Sequence, residues 1–236
     1  MHRKILKLKA AIRAISGGTG ASKTYSIMEI LVDYAQSNRN KRIDVVSESF
    51  PHLEAGTMED LKNILKDRDY WNDKLWNETK HLYSFETNTH LKFISFDKLG
   101  KTHGPRRDIL FLNECNFLPW NIADQLITRT REIVFLDWNP SEDFWFYNEI
   151  LGKVKNLDFM GEGGNYPPLT FLDNEALSKN ELDKIESHKH NKNWWRVYGL
   201  GLKGEIEGLI YTNWKIIDEI PHEARLERRW LDFGYT

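Results

Sequence analysis

The sequence predicts an α/β fold, with a mostly parallel central sheet flanked by helices. Three observations carry this. Apolar runs of strand length alternate with segments of helical period. Several of those runs have no polar alternation, as expected of strands covered on both faces. The first run leads through a glycine-rich turn straight into the first helix. The 236 residues, 40% hydrophobic and 29% charged, suit a packed domain and are too apolar for a disordered tail.

Residues 10–15 are mostly apolar and stop at Gly17-Gly18, which reads as a buried strand. The basic opening, residues 1–18, runs into those glycines and is expected as strand rather than secretory signal. Residues 24–36 place Ile27, Ile30, Leu31 and Tyr34 on one helical face. RIDVVS (42–47) reads as the second strand. Residues 57–65 read as a helix with Thr57 as N-cap and Asp60 three positions later. Residues 83–85 and 91–95 alternate around a Glu-Thr-Asn-Thr turn. Residues 109–112 form a doubly buried strand and 122–130 a helix. Residues 132–138 form another buried strand, halted by Asn139-Pro140. GEGGNYPP (161–168) is a loop and 174–188 a polar helix.

Composition excludes some functions. One cysteine, Cys115, rules out an internal disulfide framework and a multi-cysteine zinc site, and points to a reducing, cytoplasmic setting. No apolar run reaches ~18 residues, so no membrane-spanning helix is expected. Lys and Arg total 33 against 35 Asp and Glu, so overall charge does not announce nucleic-acid binding; a local basic face is left open.

The motif richest in chemistry is Gly17-Gly18-Thr19-Gly20-Ala21-Ser22-Lys23-Thr24, between strand and helix. That is the context of a P-loop, where backbone amides and a helix N-terminus cradle phosphates. Lys23 would reach the β- and γ-phosphates of ATP, and the Thr24 hydroxyl would hold Mg²⁺. Ser22 stands where glycine usually precedes the lysine, and fits if its φ is negative. The bland alternative is a glycine-rich turn that binds nothing. Next, ILFLNE (109–114) resembles a Walker B strand with Asn113 in place of aspartate. Asn113 would meet the magnesium through water, and Glu114 is the natural base for an attacking water. Cys115 reads as a small buried residue. In FLDWNP (135–140), Asn139 would sense the γ-phosphate; ordinary strand termination by Asn-Pro is the equal alternative.

In their order these motifs resemble the large terminase subunit of tailed bacteriophages, the DNA-packaging ATPase, over nearly the whole chain. The P-loop resembles its Walker A. ILFLNEC, a helix carrying Arg129 and Arg131, and IVFLDWNP resemble its Walker B and coupling motif. LTFLDN (169–174) resembles its Thr-Tyr-x-Asp-Asn element. YGLG (198–201), Glu207-Gly208-Leu209-Ile210-Tyr211 and Trp214 resemble the segment that closes the ATPase domain. WLDFGY (230–235) resembles the first strand of its RNase H-like nuclease, in which Asp232 would be a metal ligand.

The resemblance implies a P-loop NTPase of the ASCE type over residues 1–215. Residues 216–236 would be a linker and the first strand of an incomplete nuclease domain, so no nuclease activity is expected. It implies ATP and Mg²⁺ as cofactors and double-stranded DNA, the small terminase subunit and a portal or procapsid as partners. It also implies a conditional homo-oligomeric ring and the host cytoplasm as location. The family's P-loop often carries arginine where this chain has Thr19. Arg106, Arg107, Arg129 and Arg131 are the candidate replacements, in cis or from a neighbouring subunit; for each, a surface charge or DNA-phosphate contact is the plainer reading. The rivals are another P-loop ATPase such as a helicase, a nucleotide kinase, or a nucleotide-binding remnant without turnover. The cluster from His188 to Lys192 reads as a solvated helix end, and Trp71 and Trp76 as core aromatics.

Overall fold

The computed structural model describes residues 2–96 and 106–205. A short helix α1 (His2–Ile5) precedes strand β1 (Ile12–Ser16), so the basic opening is one helical turn rather than strand. Helix α2 (Lys23–Ser37) and strand β2 (Arg42–Ser47) follow, close to their expected limits.

The next helical stretch starts earlier than the sequence pattern suggests. It runs through α3 (Phe50–Leu53), a π-turn (Glu54–Met58) and α4 (Glu59–Asp67). Thr57 is therefore no N-cap. It lies buried inside the π-turn, and its hydroxyl lacks a hydrogen-bond partner. The true start is at Ser49, extended, with Pro51 in the first turn, where a missing N–H costs nothing.

Strands β3 (Trp76–Asn77), β4 (Leu82–Ser84), β5 (His90–Ser95) and β6 (Arg107–Leu112) come next. Helix α5 (Trp120–Thr128), β7 (Thr130–Trp138) and β8 (Leu157–Met160) follow. β8 has no counterpart in the sequence pattern. It is only four residues long, and Asp158 within it turns outward to accept from the Lys9 and Ala10 amides. Of the polar helix expected over 174–188, only α6 (Lys179–Glu186) is α-helical. Ser178 and Glu181 cap it reciprocally. The short helix α7 (Lys192–Trp194) and a π-turn (Trp195–Gly199) bring the chain back toward the sheet.

The eight strands form one sheet in the order β3-β4-β5-β2-β6-β7-β1-β8. The six from β5 to β8 pair in parallel, and the β3-β4-β5 edge is antiparallel. Strand β7 lies between β6 and the strand that feeds the glycine-rich loop.

Side-chain alternation divides the core. Ile15, Val45, Ile109, Phe111 and Phe135 face α2 and α4, packing with Ile27, Leu31, Leu61 and Ile64. Ala14, Leu110, Leu112, Leu136 and Trp138 face α5 and an aromatic group that includes Trp145, Phe146 and Phe159. Trp71 and Trp76 pack on the first cluster, as expected for core aromatics. Among the described residues no helix is long and apolar enough to cross a membrane.

Arg107, at the start of β6, is 1% exposed and donates to Asp44 at 2.6 Å and to the Leu126 carbonyl at 3.1 Å. Burial raises the Asp44 carboxyl's pKa, and the Arg107 charge works against that rise. Removing one partner leaves the other charge buried alone. Arg107→Ala is expected to destabilise the fold by about 3–5 kcal/mol in urea unfolding. Replacing both residues with apolar ones of similar volume should recover most of that loss.

Candidate nucleotide and metal site

The carboxyl-terminal ends of β1, β6 and β7 lie at one level. Phe111 pairs with Phe135, Leu112 with Leu136, and Ile15 with Asp137. Because side chains alternate, Asn113 falls on the face of Phe111 and Asp137 on the face of Phe135. Both thus point toward the first turn of α2, beside Lys23 and Thr24. A cavity of about 320 Å³ opens there. It is lined by Gly18 to Tyr25, Asp60, Glu114, Asp137, Trp138, Asn139 and Asn174.

The loop is held from outside. The Gly18 and Thr19 amides donate to the carbonyls of Leu169 and Tyr198, at 2.9 and 2.8 Å. A Cβ on Gly17 or Gly18 would meet those carbonyl oxygens at 2.6 and 2.3 Å, so only glycine fits at either position. Asn174 donates to the Gly20 carbonyl at 2.9 Å. Both segments that extended the resemblance, LTFLDN and YGLG, therefore close on the glycine-rich loop. The amides of Lys23, Thr24 and Tyr25 begin α2 and have no intrahelical partner, which is the arrangement that receives an anion.

Ser22 adopts φ 50, ψ 32, the left-handed region. The expectation of a negative φ is corrected: the position retains the geometry that usually demands glycine, and serine bears the strain. Lys23 is buried, donating to the Gly17 and Gly18 carbonyls at 3.0 Å each and to Asn139 Oδ1 at 2.8 Å. Burial lowers its pKa to about 8, against the pull of Asp137 and Glu114.

Asn113 does not take the part expected of it. Its Nδ2 donates to Asp137 Oδ1 at 3.1 Å and approaches Thr24 Oγ1 at 3.4 Å, so its donor end faces the site. A carboxylate can only accept, and that fixes the amide's orientation. The amide nitrogen turned this way offers a metal-bound water no lone pair.

Asp137, which sequence reasoning passed over, is the acid that touches Thr24. The threonine hydroxyl donates to its Oδ2 at 2.8 Å, and the Glu114 amide donates to its Oδ1 at 2.8 Å. Burial raises the Asp137 pKa; the Lys23 charge and these hydrogen bonds lower it. A polar residue ending an otherwise apolar strand was the signal for it, together with the alternation that puts it on the α2 face.

Glu114 lies at the cavity mouth with φ 50, its carboxylate 3.6 Å from His52 Nδ1. Desolvation and then Asp137 raise its pKa, which suits a proton acceptor. Asp60 on α4 also lines the cavity, its pKa lifted to about 6 by burial, Glu59 and Asp137. Neither His52 nor Asp60 stands in a recognisable motif. Cys115 is fully buried and its pKa is raised, an inert packed thiol.

The candidate arginines lie elsewhere. Arg107, Arg129 and Arg131 sit at the opposite ends of β6 and β7, and five residues of strand span roughly 16 Å. Arg107 is consumed by its buried pair with Asp44. Arg131 pairs with Asp108 at 3.3 Å, and the Arg129 carbonyl accepts from the Arg107 amide. Arg106 is exposed just before β6. Among the described residues no arginine lines the cavity, so a finger in cis is not among these four. Asp232, Glu207 to Tyr211, Trp214 and the expected boundary at 215–216 lie outside the described residues. His188 and its neighbours form an exposed 3₁₀ turn, with His188 stacked on Trp194.

A larger cavity, about 670 Å³, lies at the antiparallel edge between Trp71, Tyr83, Phe85, Asp69, Asp73 and Glu86. It has no glycine-rich loop, so the smaller cavity is the one suited to a polyphosphate.

No protein-family model matches the sequence, and no curated protein matches it. Solved structures do match. The large terminase of a thermophilic bacteriophage, in complex with ADP, aligns over 82% of this chain and 48% of that chain, at 20% identity and a TM-score of 0.66. The large terminase ATPase domain of Thermus phage P74-26 aligns over 85% and 92%, at 10% identity and a TM-score of 0.61. The Phi-28 gp11 DNA packaging motor aligns over 93% and 71%, at 14% identity and a TM-score of 0.52.

The fold is that of a large-terminase ATPase domain. The P-loop architecture expected from the sequence is thereby met. The chain spans about half the length of the ADP-bound terminase it matches, and nearly all of the P74-26 ATPase domain.

Two outcomes follow from this terminase-type loop. Ser22→Gly is expected to raise stability by about 0.5–1 kcal/mol in chemical denaturation, since relief of left-handed strain exceeds glycine's added unfolded-state entropy. Lys23 must be charged to hold phosphate, and burial sets its pKa at about 8. Nucleotide affinity should therefore change little between about pH 7 and 8, above the Asp60 titration. Above about pH 8, affinity should fall by up to about tenfold per unit, read by fluorescent-nucleotide titration.

Proposed function

We propose that this chain is the ATP-hydrolysing motor domain of a phage DNA-packaging terminase. The observation that carries the reading is the convergence of a phosphate-binding loop, a hydroxyl–carboxylate pair and a desolvated glutamate on one cavity, in a fold shared with such ATPase domains. The loop amides and the α2 N-terminus bind phosphate oxygens, and Lys23 leaves the Gly17 and Gly18 carbonyls to join them. Asn139 accepts from Lys23, so a phosphate that drew Lys23 away would alter the contact at the end of β7. That is the physical form of the coupling role expected of it. Glu114 accepts the proton of the water that attacks the γ-phosphate. Magnesium, when bound beside Thr24, would neutralise charge on the β- and γ-phosphate oxygens.

Through this hydrolysis the chain would drive double-stranded DNA into a procapsid, gripping mostly phosphates, in the cytoplasm of an infected host. A homo-oligomeric ring, the small subunit and a portal are the partners this reading carries. With no arginine among the described residues lining the cavity in cis, a ring would also allow an exposed arginine to reach it from a neighbouring subunit. The remnant alternative drew on Asn113 and Ser22. Both lose force, because Ser22 keeps the loop geometry and an acid stands beside Thr24 on the next strand.

The test is steady-state Mg-ATP hydrolysis with and without duplex DNA. Wild-type turnover stimulated by DNA is expected. Glu114→Gln should lower kcat by about 10²–10⁴-fold, with nucleotide affinity kept. A wild type that binds nucleotide but shows no turnover, even with portal and procapsid added, would restore the remnant reading.

A further inference from the structure

The fold places an acid where the sequence motif lacks one. In a P-loop site, the hydroxyl that ends the loop and a nearby acid share the metal. The position expected to supply that acid, at the end of β6, holds neutral Asn113. Asp137, at the same level on the adjacent strand and the same face of the sheet, makes the hydroxyl contact instead.

The two carboxylate oxygens are used differently. Oδ1 accepts from the Glu114 amide at 2.8 Å and from Asn113 Nδ2 at 3.1 Å, which accounts for both its lone pairs. Oδ2 accepts from Thr24 at 2.8 Å and keeps a second lone pair, on a residue that lines the cavity. The first oxygen is an anchor and the second is presented to the ligand. Asn113 is then a positioning residue: its amide holds the acid's orientation without adding a charge.

We propose that Asp137, on β7, supplies the negative charge of the magnesium site, with neutral Asn113 beside it at the end of β6. This rests on the Mg-ATP reading above and names the residue through which that reading acquires its metal. A purely structural Asp137 makes a different forecast. It would hold Thr24 and the Glu114 amide in place, and its loss would weaken nucleotide binding equally with and without metal.

The experiment uses the full chain, a fluorescent ADP analogue titrated in Mg²⁺ and in EDTA, and electron paramagnetic resonance of Mn²⁺ bound with ADP. Wild type is expected to bind more tightly in Mg²⁺. Asp137→Asn should keep or gain affinity in EDTA and lose about 10–100-fold in Mn²⁺ affinity. The exchange variant, Asn113→Asp with Asp137→Asn, should regain most of it. Asn113→Asp alone puts acids on both strands, so it should bind Mn²⁺–ADP more tightly than wild type and melt lower without metal; it decides the matter if Asp137→Asn does not fold. Unchanged Mn²⁺ affinity in Asp137→Asn or in Asn113→Asp overturns the proposal. So does a loss in Asp137→Asn that is equal in EDTA and Mg²⁺. A wild type that binds no nucleotide in either condition overturns the Mg-ATP reading itself, and this inference with it.

Discussion

Parallel register between β6, β7 and β1 is the constraint on which the site depends. In parallel strands each residue's height and face are fixed together, so a slip of one residue would turn every side chain to the opposite face. Here Leu112 stands beside Leu136, and Asp137 beside Ile15. The apolar alternation that buries Phe111 and Phe135 under α2 also delivers Asn113 and Asp137 to the first turn of that helix. Core packing and site assembly are therefore one event. The buried Arg107–Asp44 pair fixes the opposite end of β6 against β2. It tethers the ladder far from the ligand, where a charge has no catalytic use.

The loop that meets the phosphates is rigid on its outer side and loosely committed on its inner side. Carbonyls of Leu169 and Tyr198 grip Gly18 and Thr19 so closely that only glycine fits at 17 and 18. Lys23, by contrast, rests on two carbonyls and one amide oxygen, none of them charged. A phosphate offers the buried ammonium a better partner than any of these. Under the proposed function the lysine is the element that moves within this frame, and its departure from Asn139 would be a change for β7 to transmit, because Asn139 directly follows the strand's last residue, Trp138.

Much of this was legible in the sequence because it depends on local pattern. The alternation of apolar runs marked β1, β2 and β4 to β7 in outline, and the GGTGASKT turn placed the site between β1 and α2. Where legibility failed, the deciding fact was tertiary. No local rule says whether Ser22 takes a positive φ; the hold of Leu169, Tyr198 and Asn174 on the loop helps impose it. Arg107 reads as a surface charge until Asp44 is found beside it, 63 residues away in sequence. Asn113 was expected to accept from a metal-bound water because it occupies the acid's place in a motif. The structure shows its donor end turned inward by a carboxylate on another strand. The parity of the strands locates Asp137 once their register is known.

Charge around the cavity makes a last point about its ligand. Among the described residues, Asp60, Glu114 and Asp137 line it against a single cation, Lys23. Asp60 titrates at about 6, and burial raises the Glu114 and Asp137 pKa values too, with the Lys23 charge opposing the rise in both. A bare polyphosphate would enter a cavity of its own sign, where low local dielectric strengthens repulsion. The α2 N-terminus offsets only part of this, since a helix end is equivalent to about half a unit charge. A divalent cation entering with the nucleotide changes the balance, because it is attracted by the acids and the phosphates alike. Under the proposed function, the same acids that would repel ATP alone therefore favour it as a metal complex.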